Sequence, residues 1–154
     1  METVPLIHIT KGKNGMVEFR VPSIPVAQPR QRHGFVRGQI RNWTPARHPV
    51  NAFKAAVQLA FSQAGGRMLM GPVVLQVTFR MPRPKAMLWK TKPMPEEYHT
   101  KKPDLDNLLK AVKDALTGLA WRDDAQVCFC SASKLVCAGN SSPGVLITIR
   151  RVEE

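Results

Sequence analysis

A chain of 154 residues, 44% hydrophobic, is long enough for one globular domain with a real core and too apolar to remain unfolded. No apolar run approaches the ~18 residues of a membrane span, and the start METVPLIHITKGK lacks a signal-peptide pattern, so a cytoplasmic protein is expected. The 23 Lys and Arg against 11 Asp and Glu leave a net charge of +12, which points to a polyanionic partner, nucleic acid before others.

Residues 4–10 (VPLIHIT) and 16–22 (MVEFRVP) read as strands around a KGKNG turn, the signature of a hairpin. The segment 24–49 is rich in Pro, Gly and Arg, lacks a clear period, and is too long for a plain connector; such loops are usually functional or disordered. In 50–64, Phe53, Val57, Ala60 and Phe61 recur at helical spacing and Gly65-Gly66 stops the helix. Residues 72–81 alternate as a strand, with Val73, Leu75, Val77 and Phe79 on one side. A second Pro- and Lys-rich loop covers 82–103.

Residues 105–119 predict an amphipathic helix whose apolar face is Leu105, Leu108, Leu109, Val112, Leu116 and Leu119. Asp106, Lys110, Lys113 and Thr117 fall opposite, and Asp114 is expected to pair with a nearby cation from the side of the helix. Strands are predicted at 126–136 and 145–152 around a Gly139–Gly144 turn, with buried thiols in the first of them. Cys128, Cys130 and Cys137 are an odd number, match no zinc motif well, and argue against a disulfide framework. The order ββ, loop, αβ, loop, αββ, with no internal repeat, gives an α+β domain spanning the chain.

Charge is unevenly placed along it. Residues 1–103 hold 17 basic and 4 acidic side chains, residues 104–154 hold 6 and 7, and no acidic residue lies between Glu18 and Glu96. All five aspartates (Asp104, Asp106, Asp114, Asp123 and Asp124) fall within 21 residues. A basic body with one acidic island suits phosphodiester chemistry at a metal, although a short D-x-D is also a common capping pair beside a solvated turn. Two helical residues two apart stand ~200° apart around the axis and cannot share an ion. Asp104 is therefore placed before the helix and Asp106 at its cap or first turn, where both carboxylates can converge near the favourable helix N-terminus. Lys110 lies one turn beyond Asp106, within reach of a phosphate there. Asp123 or Asp124 returns to this end only if tertiary folding brings it.

The stretch KPDLDNLLKAVKDALTGLAWRDDAQV, residues 102–127, resembles the signature of the RusA family of Holliday-junction resolvases. The shared pattern is a D-x-D-N, a helical lysine followed by D-A-L, and a W-x-D-D-x-Q-V; it covers about a sixth of the chain. The resemblance implies a small mixed sheet with two main helices in an intertwined homodimer. It implies a Mg²⁺-dependent endonuclease, Mn²⁺ able to substitute, that nicks opposing strands of a four-way DNA junction in recombination and repair. No membrane and no small-molecule cofactor enter, and some such proteins sit in phage-derived gene sets. Carried over by position, the catalytic and metal-binding aspartates are Asp104, Asp106 and Asp124, the catalytic lysine is Lys110, and Asp123 and Asn107 are supporting residues. Lys134 matches a basic position of the following strand.

The remaining basic residues supply DNA contacts: Arg30, Arg32 and Arg37 first, with Arg41 and Arg47, then Lys101 and Lys102 with Lys90 and Lys92 near the second loop. Trp43, Trp89 and Phe35 read as anchors tying loops to the core in preference to stacking on bases. Trp121 reads as packing for the turn that presents Asp123 and Asp124. The alternatives are a nuclease of flaps or forks sharing the same site, a non-catalytic junction-binding protein, and a nucleotide-sugar site. The chain is too small and too basic for the last.

Overall fold

The computed structural model describes residues 15–152. The strand expected at 4–10, and the hairpin it would form, lie outside them. Strand β1 (Met16–Val21) leads through an extended segment to a hairpin of β2 (Arg32–Val36) and β3 (Gln39–Trp43). Helix α1 (Pro49–Gln63), strand β4 (Val73–Met81), a short β5 (Glu97–Tyr98) and helix α2 (Leu105–Leu116) follow. Strands β6 (Val127–Val136) and β7 (Gly144–Arg151) close the chain. The main sheet runs β1-β7-β4-β6-β5, mixed because only β4 and β6 are parallel; β2 and β3 form a separate two-stranded ribbon.

The parallel pair needs a crossover, and α2 lies within it. Alternation in β4 sends Val73, Leu75, Val77, Phe79 and Met81 to one face, where they join Ile147 and Ile149 of β7 and Phe19 and Val21 of β1 in the core. Helix α1 adds Val50, Phe53, Val57 and Phe61, and α2 adds Leu108, Ala111, Val112, Ala115 and Leu116. Both helices cover this one face. The other carries Gln76, Thr78, Ser131, Ser133, Leu146 and Thr148, which line a shallow depression of about 330 Å³.

Three expectations need correction. Helix α2 stops at Leu116, not 119: Thr117 is extended and Gly118 takes φ 90°, a value favoured only for glycine. Leu119 therefore leaves the apolar stripe and is 41% exposed. The 24–49 segment contains a hairpin rather than only irregular loop. The thiols of β6 are not buried: Cys128 and Cys130 are both exposed on a stretch of the strand that β5, paired with it only at Leu135 and Val136, does not reach, and the buried Cys137 lies just past its end. Among the described residues no helix is long and apolar enough to cross a membrane.

Leu108 and Leu119 share a predicted face but not an environment. Leu108→Ala is expected to lose about 2–5 kcal/mol and Leu119→Ala less than about 0.5 kcal/mol, read from urea midpoints at constant slope.

Candidate active site

Burying the Leu108–Val112–Leu116 stripe turns Asp106, Lys110 and Lys113 outward, on one exposed side of α2. Asp104 occupies the N-cap with extended backbone (φ −70°, ψ 142°), yet its side chain accepts no capping hydrogen bond. Its carboxylate is exposed and uncommitted. Asp106 sits in the first turn, where Oδ1 accepts from the Asn107 amide at 3.0 Å. The ion pairs among the described residues are Lys54–Asp114, Arg80–Glu96 and Lys113–Asp124, so Asp104, Asp106 and Lys110 stand outside all of them.

A wall faces this helix end. The Gln28 amide donates to the Asn107 carbonyl at 3.0 Å and its side-chain amide reaches Thr44 Oγ1 at 3.5 Å. Gln28, Pro29, Arg30, Gln31 and His33 then line a groove of about 330 Å³ with Asn107 and Lys110. The arginine-bearing segment is thus attached directly to the first turn of α2. Sequence reasoning missed Gln28 and this attachment. The β2–β3 hairpin left a usable signal, Arg37-Gly38 between the runs RHGFV and QIRNW, since a two-residue loop with glycine marks such a turn.

Asp124 lies elsewhere. Its Oδ2 is 3.2 Å from Lys113 Nζ, and Lys113 is ~13 Å further along the helix than Asp104 at ~1.5 Å rise per residue. Among the described residues, no three His, Cys, Asp or Glu side chains are grouped so as to hold a metal ion. Among the described residues, Asp104, Asp106 and Asp124 are therefore not brought together on one ion as expected. Asp123 is used structurally: Oδ1 accepts from the Ala125 amide at 2.8 Å, and Gln126 Oε1 accepts from the Arg122 and Asp123 amides. Gln126 Nε2 in turn bonds the carbonyls of Leu69 and Gly71, and buried Trp121 donates to Thr117 Oγ1 at 3.0 Å. These bonds build the turn firmly where it is.

The remaining donor set still suits a hard divalent cation. Mg²⁺ is commonly held by one or two carboxylates, with waters and substrate phosphate filling the other positions. Asp104 and Asp106, exposed at one helix end, are the two carboxylates that could fill that role.

Lys134 is committed differently from an open phosphate contact. Its half-buried ammonium donates to the carbonyls of Lys101 and, at 2.6 Å, Pro103, tying the loop before α2 to β6. Lys101 and Lys102 remain exposed on that loop. Among the anchoring aromatics, Trp89 takes the guanidinium of buried Arg83 over its ring at 5.1 Å, whereas Phe35 is 79% exposed and anchors nothing. Arg83 also donates to the Met87 and Pro95 carbonyls, so it organises the second loop from within, a role invisible in the sequence.

His99 lies against the same tie, its amide donating to the Lys134 carbonyl at 3.0 Å. Burial first, then the Lys134 ammonium, lower its pKa below the usual 6.5. The unfolded chain then binds the proton more readily, so this contribution to stability is full above pH 6.5 and is lost as pH falls toward the lower folded value. Urea midpoints are expected to decline from about pH 7 to 5, with a shallower decline in His99→Gln.

A model of the RusA endodeoxyribonuclease family matches residues 22–150. An uncharacterized protein of Bacillus subtilis (strain 168), YqaN, is 34% identical over 142 residues, spanning 88% of this chain and 96% of that one. The match runs from just after β1 through the groove wall, the Asp104–Asp106 helix end and β6 into β7, and by it this chain belongs to the RusA family of endodeoxyribonucleases.

Proposed function

We propose that this protein is a Mg²⁺-dependent endonuclease that resolves four-way DNA junctions by paired nicks, working as a homodimer. The observation that carries the reading is the pair of exposed carboxylates at the start of α2, set beside Lys110 and the Arg30 wall. Asp104 and Asp106 would hold the ion, which when bound supplies an activated water and stabilises the leaving 3′ oxygen. Lys110, one turn along, neutralises charge that builds on the scissile phosphate. The α2 N-terminus adds partial positive charge at the same place. Arg30 and, farther out, Arg32 and Arg37 hold flanking phosphates, while Lys101 and Lys102 do so from the loop before α2. Asp124, the third aspartate of the motif, holds the Lys113 ammonium at 3.2 Å. In-line hydrolysis leaves a 5′ phosphate and a 3′ hydroxyl, and a two-fold dimer offers one site to each of two symmetric strands.

The test compares a labelled four-way junction with a linear duplex and a flap, in Mg²⁺ or EDTA. Paired nicks confined to the junction, absent with EDTA and reduced at least ~100-fold in Asp104→Asn with binding retained, are expected. Equal cutting of flaps would make the enzyme a broader structure-selective nuclease. Tight binding without cutting in any metal would leave a junction-binding protein instead. Light scattering should give twice the chain mass, and a stable monomer on the junction would remove the dimer from the reading.

A further inference from the structure

Among the described residues the β2–β3 ribbon pairs only with itself and lies outside the core cluster. Arg37 (φ 51°) and Gly38 (φ 76°) form its two-residue turn, both left-handed as a type I′ hairpin requires. Phe35 stands directly across from Ile40, so their side chains share one face, and they are 79% and 69% exposed. On that face His33 also hydrogen-bonds Asn42 across the strands. Trp43 behaves differently: a Cβ at Gly34 would come within 2.8 Å of its ring, so the indole packs down on the ribbon's other face. An isolated two-stranded hairpin is marginal in water, and an exposed aromatic–aliphatic pair on one is the mark of a contact surface.

Charge selects what it contacts. Arg32, Arg37 and Arg41 lie on the ribbon, Arg30 and Arg47 flank it, and no acidic residue occurs between Glu18 and Glu96. Two copies meeting through this ribbon about a two-fold axis would set these arginines against themselves. The fitting partner is anionic and also offers flat apolar faces, which describes DNA whose bases have come unstacked. The base of the ribbon joins the groove wall at Arg30, Gln31 and His33, beside Asn107 and Lys110. A base held by the ribbon therefore belongs to the same DNA that reaches Asp104 and Asp106.

We propose that the β2–β3 hairpin is a wedge that sets Phe35 and Ile40 against unstacked bases at a DNA branch point while its arginines hold the adjoining phosphates. This inference rests on the reading of the protein as a branched-DNA nuclease and adds the element that would recognise the branch.

The experiment uses the full-length protein and a four-way junction carrying 2-aminopurine at the crossover, with EDTA present to prevent cutting. Wild-type protein is expected to raise the fluorescence on binding. Phe35→Ala/Ile40→Ser should abolish the rise and weaken junction binding about 10-fold or more, with a smaller loss on linear duplex. Phe35→Trp, which keeps a stacking face, should preserve the rise. Circular dichroism and Tm of the double variant report its folding, and Phe35→Trp against wild type keeps the test decisive if that variant unfolds. Wild-type protein that binds and, in Mg²⁺, cuts the junction without any rise overturns the wedge and leaves the nuclease reading standing. Protein that neither binds nor cuts the junction overturns the nuclease reading itself. A rise that survives in the double variant while light scattering shows a lost dimer assigns this surface to a second copy and overturns the wedge.

Discussion

Everything at the candidate site depends on the burial of one face of α2. Leu108, Ala111, Val112, Ala115 and Leu116 are at most 1% exposed, packed against α1 and the sheet. Apolar burial has no direction of its own, but on a helix it fixes rotation about the axis. Once those five side chains point inward, Asp106, Lys110 and Lys113 must point outward, on one line. The extended backbone at Asp104 follows from its place just ahead of the first turn. The core thus aims the polar side chains without touching them.

This is also why so much of the architecture could be read from residues alone. The stripe in 105–119 and the alternation in 72–81 are strong periodic signals, and both elements formed within three residues of the expected bounds. The miss at the end of α2 has a local cause, Thr117 bonding back to the Lys113 carbonyl while Gly118 turns the chain. Periodicity continued through Leu119, but backbone geometry did not. The Asp104–Asp106–Lys110 spacing was equally visible, because it is set within a single helix end.

What could not be read is whatever depends on two distant segments meeting. Gln28 reaching Asn107 is one case, with 78 residues between them in the chain. Lys134 is another: a lysine in a strand looks like a surface charge until the carbonyls of Lys101 and Pro103 are found at its tip. Asp124 is the sharpest, since the motif groups it with Asp104 and Asp106 while the chain leaves it on Lys113. Exposure of Cys128 and Cys130 likewise follows from how little of β6 the short β5 covers, a matter of pairing rather than composition.

The ribbon's self-contained pairing carries a consequence for how such a protein can change over generations. Its side chains at 35 and 40 contribute nothing to the core, and among the described residues its strands belong to no larger sheet. Insertions, deletions or new residues near the Arg37-Gly38 tip can therefore accumulate without lowering the stability of the domain that carries the carboxylates. Gly34 is the exception, because any side chain there displaces Trp43. If the ribbon reads the DNA as proposed, the layout separates recognition from chemistry, so the preferred form of DNA is free to drift between lineages while the chemistry stays in place.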